Sequence, residues 1–139
     1  MSKALLDTHA WIWLANGDPR FKNGSSLKMI EKASKSSELY VASISIWEIG
    51  MLEAKGRVRF QMPCLEWVKR AVELPGLSVI DLSAEIAIES SRLPGVFHGD
   101  PADRILVATA RSEGLTILTQ DQKILDYAEV GFAKAAKLF

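Results

Sequence analysis

The chain has 139 residues, enough for one domain with a sizeable buried core. Hydrophobic residues make up 48% and charged residues 24%, a balance that excludes a disordered chain. The 17 basic and 17 acidic residues cancel, so no bulk field draws the protein onto nucleic acid, and any such contact must come from a local patch.

Ala4-Leu5-Leu6 is a short apolar run that stops at Asp7 and predicts a buried strand. Residues 9–15, with Trp11, Ile12, Trp13 and Leu14, predict a short helix, and the polar stretch 17–26 a loop. Residues 27–34 predict a helix that turns Met29, Ile30 and Ala33 to the core. A strand over 39–42 and a helix over 46–55, ended by Gly56, follow. Pro63 opens a helix over 64–74 that Pro75-Gly76 ends. Residues 77–82 are strand-like, and 84–93 predict a helix closed by Pro94-Gly95. A long helix over 101–113 stops at Gly114. A strand over 115–119, a short helix to Tyr127 and an edge strand over 130–133 complete the chain. No repeat, low-complexity tract or linker divides it, so residues 1–139 read as a single domain. Apolar strands without alternation, separated by helices, imply an α/β fold with a parallel sheet covered on both faces. Sites in such sheets lie outside the carboxyl ends of the strands.

Cys64 is the one cysteine, so nothing points to an oxidising compartment, and it reads as a small buried apolar group. The opening, Met1 to Asp7, lacks the long apolar run of a signal peptide. No segment approaches the roughly 18 apolar residues of a spanning helix, so a cytoplasmic location with no membrane is expected.

Two acids fall where a carboxyl-end site would be, and two more on apolar helix faces. Asp7 follows the first strand, and Asp121 follows the strand that ends at Thr119. Each also suits a helix N-cap. Ser45-Ile46-Trp47-Glu48 fits a capping box, yet Ile44, Met51 and Leu52 place Glu48 on an apolar face. Asp100-Pro101-Ala102-Asp103 is a good helix start, yet Asp103 shares its face with Leu106, Val107 and Ala110. A partly buried carboxylate needs a partner. Arg104 points about 100° around the helix from it, and a metal ion would serve. Oxygen ligands favour Mg2+ or Mn2+ over zinc.

At these residues the chain resembles the PIN domain and, within it, the VapC-type toxins of prokaryotic toxin–antitoxin pairs. The matching pieces are Leu5-Leu6-Asp7-Thr8-His9-Ala10, Ser43-Ile44-Ser45-Ile46-Trp47-Glu48-Ile49, Asp100-Pro101-Ala102-Asp103-Arg104-Ile105-Leu106-Val107-Ala108-Thr109-Ala110 and Leu118-Thr119-Gln120-Asp121. They occur in the family's order and span nearly the whole chain. The resemblance implies a three-layer sandwich, with a central parallel sheet flanked by helices, and a metal-dependent endoribonuclease. It implies Mg2+ or Mn2+ held by Asp7 and Asp103, with Glu48 and Asp121 binding a second ion or orienting water. Glu48 is the candidate general base if one ion binds. Thr8 and Thr119 match small polar supporting positions. Asp100 either caps its helix or touches the site, and the cap is favoured. The resemblance further implies an RNA substrate, a VapB-type antitoxin and a homodimer.

For phosphate contacts, Lys55, Arg57 and Arg59 alternate after the Glu48 helix, and Arg104 adjoins Asp103. The first three read equally well as charges guarding a solvated edge, and Arg104 nearly as well as a surface ion pair. His98 could donate to a phosphate or a leaving group, but the favoured reading is an exposed loop histidine, since nothing in the sequence gives it a partner. His9 is expected to pack near the site. Trp11, Trp13, Trp47 and Trp67 read mostly as core, with some lining a partner groove. Two rival functions remain open at this point: a non-catalytic PIN-fold module that grips RNA or protein, and a phosphotransfer domain with Asp7 as acceptor. The second lacks the acid pair at the first strand and the lysine at a later strand end.

Overall fold

The structure is a computed structural model and describes residues 3–139; Met1 and Ser2, where the expected leaderless start begins, lie outside the described residues. Its strands are β1 (Ala4–Leu6), β2 (Leu39–Ala42), β3 (Leu77–Ile80), β4 (Thr116–Thr119) and β5 (Lys134–Lys137). They form one sheet in the order β3-β2-β1-β4-β5, and every neighbouring pair is parallel. The helices are α1 (Thr8–Ala15), α2 (Leu27–Lys35), α3 (Ser43–Ala54), α4 (Cys64–Ala71), α5 (Ala84–Ser90), α6 (Pro101–Glu113) and α7 (Gln122–Val130). A 3-10 turn over Pro19–Asn23 interrupts the expected loop.

The sheet has a core on each face. Ala4 and Leu6 pack with Trp11, Ile30, Ile49 and Trp67 from α1 to α4. Leu5 points the other way, to Ile86, Leu106, Val107 and Ile124 from α5 to α7. This period-two alternation is hidden in the sequence because both faces are dry. No described helix is long and apolar enough to cross a membrane.

The chain winds outward through β2 and β3, then returns to the opposite side of β1 for β4 and β5. Strand order therefore reverses between β1 and β4. Their carboxyl ends diverge into different helices there, which opens a crevice.

Several predicted boundaries move. The edge strand expected over 130–133 is instead Lys134–Lys137. Val130 closes α7, and Gly131 takes φ 103° as its cap. The helix expected from Ile46 begins at Ser43, directly after β2. The strand expected over 77–82 stops at Ile80, opposite Ala42, where its only partner strand ends. Helices expected to reach Leu74 and Leu93 end at Ala71 and Ser90. Trp47, read as core, is 57% exposed, whereas Trp11 and Trp67 are buried and Trp13 is half-buried. Cys64 is half-buried, and burial followed by the charge of Glu53 pushes its thiol up.

Gly76 shows how tightly the first face is closed. It has φ +74°, and a Cβ there would lie 2.0 Å from the backbone oxygen of Ser34. Left-handed strain and a backbone clash add in Gly76→Ala. Urea unfolding of that variant is expected to show a loss of about 2–4 kcal/mol; a loss under half a kcal/mol would mean that the α2–β3 contact is loose.

Candidate active site

The acids gather at the switch point because each stands on an element that starts or ends there. Asp7 follows β1 and caps α1: the Ala10 N–H donates to its Oδ1 (2.8 Å). The Thr119 hydroxyl at the end of β4 donates to Asp7 Oδ2 and accepts the Asp121 N–H (2.9 Å). Asp121 in turn caps α7 by accepting the Lys123 N–H (2.8 Å). One threonine thus ties the two strand ends and their acids together.

Glu48 arrives from α3. Because that helix starts at Ser43, Ser45 lies inside it and the expected capping box does not form. Instead Thr8 Oγ1 hydrogen-bonds both Ser45 Oγ (2.9 Å) and Glu48 Oε1. Thr8 and Thr119 thus each hold one acid. Ser45 is a supporting residue that the capping pattern concealed.

Asp103 lies in the first turn of α6, whose N-cap is Asp100, as expected: the Asp103 N–H donates to Asp100 Oδ1 (3.0 Å). Asp7, Glu48, Asp103 and Asp121 all line one cavity of about 430 Å³, with Thr8, His9, Trp13, Ser45 and Gln120 also in its wall. No Lys or Arg lines it. Among the described residues no group of three carboxylate, imidazole or thiol side chains is placed to hold a metal ion as they stand.

The four residues named for phosphate contacts lie outside the cavity wall. The Arg104 guanidinium donates to the backbone oxygens of Ser90 (2.8 Å), Phe97 (3.0 Å) and His98 (3.3 Å), so it staples the preceding loop instead of facing the cavity. Lys55, Arg57 and Arg59 are exposed beyond α3 and outside the cavity wall, on a segment that forms no strand. His98 is the reverse case. It is half-buried, and its Nε2 lies 3.1 Å from Asp103 Oδ2. Sequence spacing gave no sign of this, because the loop between Ser91 and Asp100 folds back on the helix that follows it. His9 is exposed at the cavity wall, its ring 5.7 Å from that of Trp13.

The PIN domain family model matches residues 4–130. The chain belongs to the PIN domain family. Among PIN relatives, Ribonuclease VapC22 of Mycobacterium tuberculosis is 32% identical over 124 residues, covering 89% of this chain and 91% of that protein. The fold is similar to VapBC2 from Rickettsia felis, solved bound to a DNA fragment from their promoter, at TM-score 0.70 and 16% identity over 98% of each chain. It is also similar to DNA-bound VapBC from Salmonella typhimurium, at TM-score 0.67 and 18% identity over 99% of this chain and 98% of that one. At those identities the structural likeness is one of fold.

The electrostatics of this PIN site fit a hard cation. Burial, then the charges of Asp100, Asp121, Glu48 and Asp7, push Asp103 up to about 7. Burial also raises Asp7, against the hydrogen bonds from Thr119 and Ala10. Oxygen donors crowded at unfavourable ionisation suit Mg2+ or Mn2+. Mg2+ keeps several waters and needs only one or two carboxylates directly, so acids spaced around a cavity fit it better than a closed cage would.

The sign of the Asp103 shift sets a stability test. Its folded pKa lies above its unfolded value, so without cation the fold loses stability as pH rises from the ordinary carboxylate range to about 7. Asp103→Asn removes that loss. In chelator, its melting temperature is expected to exceed wild type by roughly 2–6 °C at about pH 8, with a smaller gap near pH 5. Calorimetry that finds the variant no more stable at either pH would rule out the crowding.

Proposed function

We propose that this chain is a metal-dependent endoribonuclease that hydrolyses RNA phosphodiester bonds and acts as the toxin of a VapBC-type toxin–antitoxin pair. The observation that carries the reading is the acid-lined cavity at the switch point of a PIN fold whose relative is named a ribonuclease. In this reading residues 1–139 work as one cytoplasmic domain, as a homodimer that a VapB-type antitoxin silences. The VapBC names of the similar folds support that partner.

Asp7 and Asp103 are the proposed ligands of Mg2+ or Mn2+, and Glu48 and Asp121 the proposed ligands of a second ion or the groups that orient water. When bound, the cation supplies a Lewis acid beside the scissile phosphate and makes water more acidic. The protein residues do the rest. Thr119 fixes Asp7 Oδ2, which leaves that carboxylate one orientation. Thr8 holds Glu48 Oε1, which leaves Oε2 free to take a proton from an attacking water. Among the described residues no Lys or Arg lines the cavity, so its four acids repel a polyanion until a cation neutralises them. RNA affinity at this site therefore depends on the cation. Lys55, Arg57 and Arg59 are proposed as outer contacts to the RNA backbone, reached beyond the cavity.

Asp7→Asn and Asp103→Asn are each expected to reduce RNA cleavage by about a hundredfold or more with the fold retained. Chelation is expected to stop the wild-type reaction, and added Mg2+ or Mn2+ to restore it. Cleavage within a few-fold of wild type by both variants would leave the PIN-fold binding module as the better account.

A further inference from the structure

The loop over residues 91–100 is anchored at several points. The Tyr127 hydroxyl donates to the Pro94 oxygen, and Gly95 with φ +68° packs where a Cβ would meet the Phe132 ring. Arg104 holds the carbonyls of Phe97 and His98. Phe97 lies between the His98 and Tyr127 rings, with centroid distances of 4.4 and 4.9 Å. Of these contacts, the Phe97 ring packs on the His98 imidazole and Arg104 holds the His98 carbonyl.

The Asp100 N–H points at His98 Nδ1 (3.4 Å), which makes Nδ1 the acceptor and puts the proton of the neutral ring on Nε2. Nε2 is shut off from solvent. Its contact with Asp103 Oδ2, at 3.1 Å, is off the axis of a formed hydrogen bond, and no other partner satisfies it. A buried donor of this kind is costly unless it meets that oxygen.

We propose that His98 is a positioning residue for Asp103: its Nε2–H holds Oδ2 and turns the other carboxylate oxygen into the cavity. This rests on the reading of Asp103 as a cation ligand. His98 does not itself ligate or touch the substrate in this account. It fixes the carboxylate, as hydrogen-bonded outer groups do at other metal sites. Arg104, next in sequence to Asp103, holds the loop that supplies it.

The test is Mn2+ binding to the RNA-free protein, followed by calorimetry or by the free-ion spin resonance signal. His98→Phe keeps a ring against Phe97 and deletes the donor, and is expected to weaken Mn2+ binding about tenfold or more. His98→Gln restores an N–H and is expected to recover most of that loss. In RNA cleavage, His98→Phe is expected to need more Mn2+ for half-maximal rate, with the rate at saturating Mn2+ near wild type. Wild-type Mn2+ affinity in His98→Phe overturns the proposal, provided Asp103→Asn has lost binding. Should Asp103→Asn bind normally too, the ligand reading itself falls. Should His98→Phe not fold, the wild-type imidazole decides. Long-range proton–nitrogen correlation at about pH 8, where an ordinary imidazole is neutral, is expected to show the Nε2–H tautomer. The Nδ1–H tautomer overturns the proposal.

Discussion

Carboxylates that repel one another are held around a single cavity, and the parallel sheet is what keeps them there. Asp7 is only 9% exposed and follows a strand with neighbours on both sides. Removing an ionised carboxylate from water without a partner costs on the order of several kcal/mol. The fold limits that cost by giving Asp7 the Ala10 N–H and the Thr119 hydroxyl. It gives Asp103 far less, and burial with the neighbouring acids drives that group up to about 7. The repulsion is concentrated on the carboxylate that stands on the opposite helical layer from Asp7 and Glu48.

Capping and site-building turn out to be one arrangement. Asp7, Asp100 and Asp121 each accept a backbone N–H at the start of a helix. Asp7 and Asp121 also line the cavity, because in a parallel sheet the helices begin where the strands end. A cap at that edge spends one carboxylate oxygen on the helix and can present the other to the crevice. Asp100 is not in the cavity wall; it caps α6, and its charge bears on Asp103 one turn along.

The two layers contribute unequally to the site. On one layer Thr8, Ser45 and Glu48 of α1 and α3 brace one another through the Thr8 hydroxyl, and Asp7 caps α1. α6 brings Asp103, whose Oδ2 faces His98 of the preceding loop. Arg104 shows why neighbouring charges in sequence need not share a role. One helical step turns it from the cavity to the backbone of residues 90–98, where it satisfies carbonyls that water would otherwise hold.

The sequence by itself determined the elements whose signals are local. β1, β2 and α6 lie where apolar runs, Asp100-Pro101 and Gly114 place them, and the motif acids mark the strand ends. Local signals also misplaced the last strand, since Val130 to Ala133 and Lys134 to Lys137 are equally short and the left-handed turn at Gly131 decides between them. Trp47 reads as core from its type alone, but only the direction of α3 shows that it faces solvent. What tertiary structure alone decided is pairing across distance: Thr119 with Asp7 over 112 positions, Thr8 with Glu48 over 40, and the fold-back of His98 onto Asp103. Such contacts depend on strand order and loop path, and no periodicity in the chain encodes either.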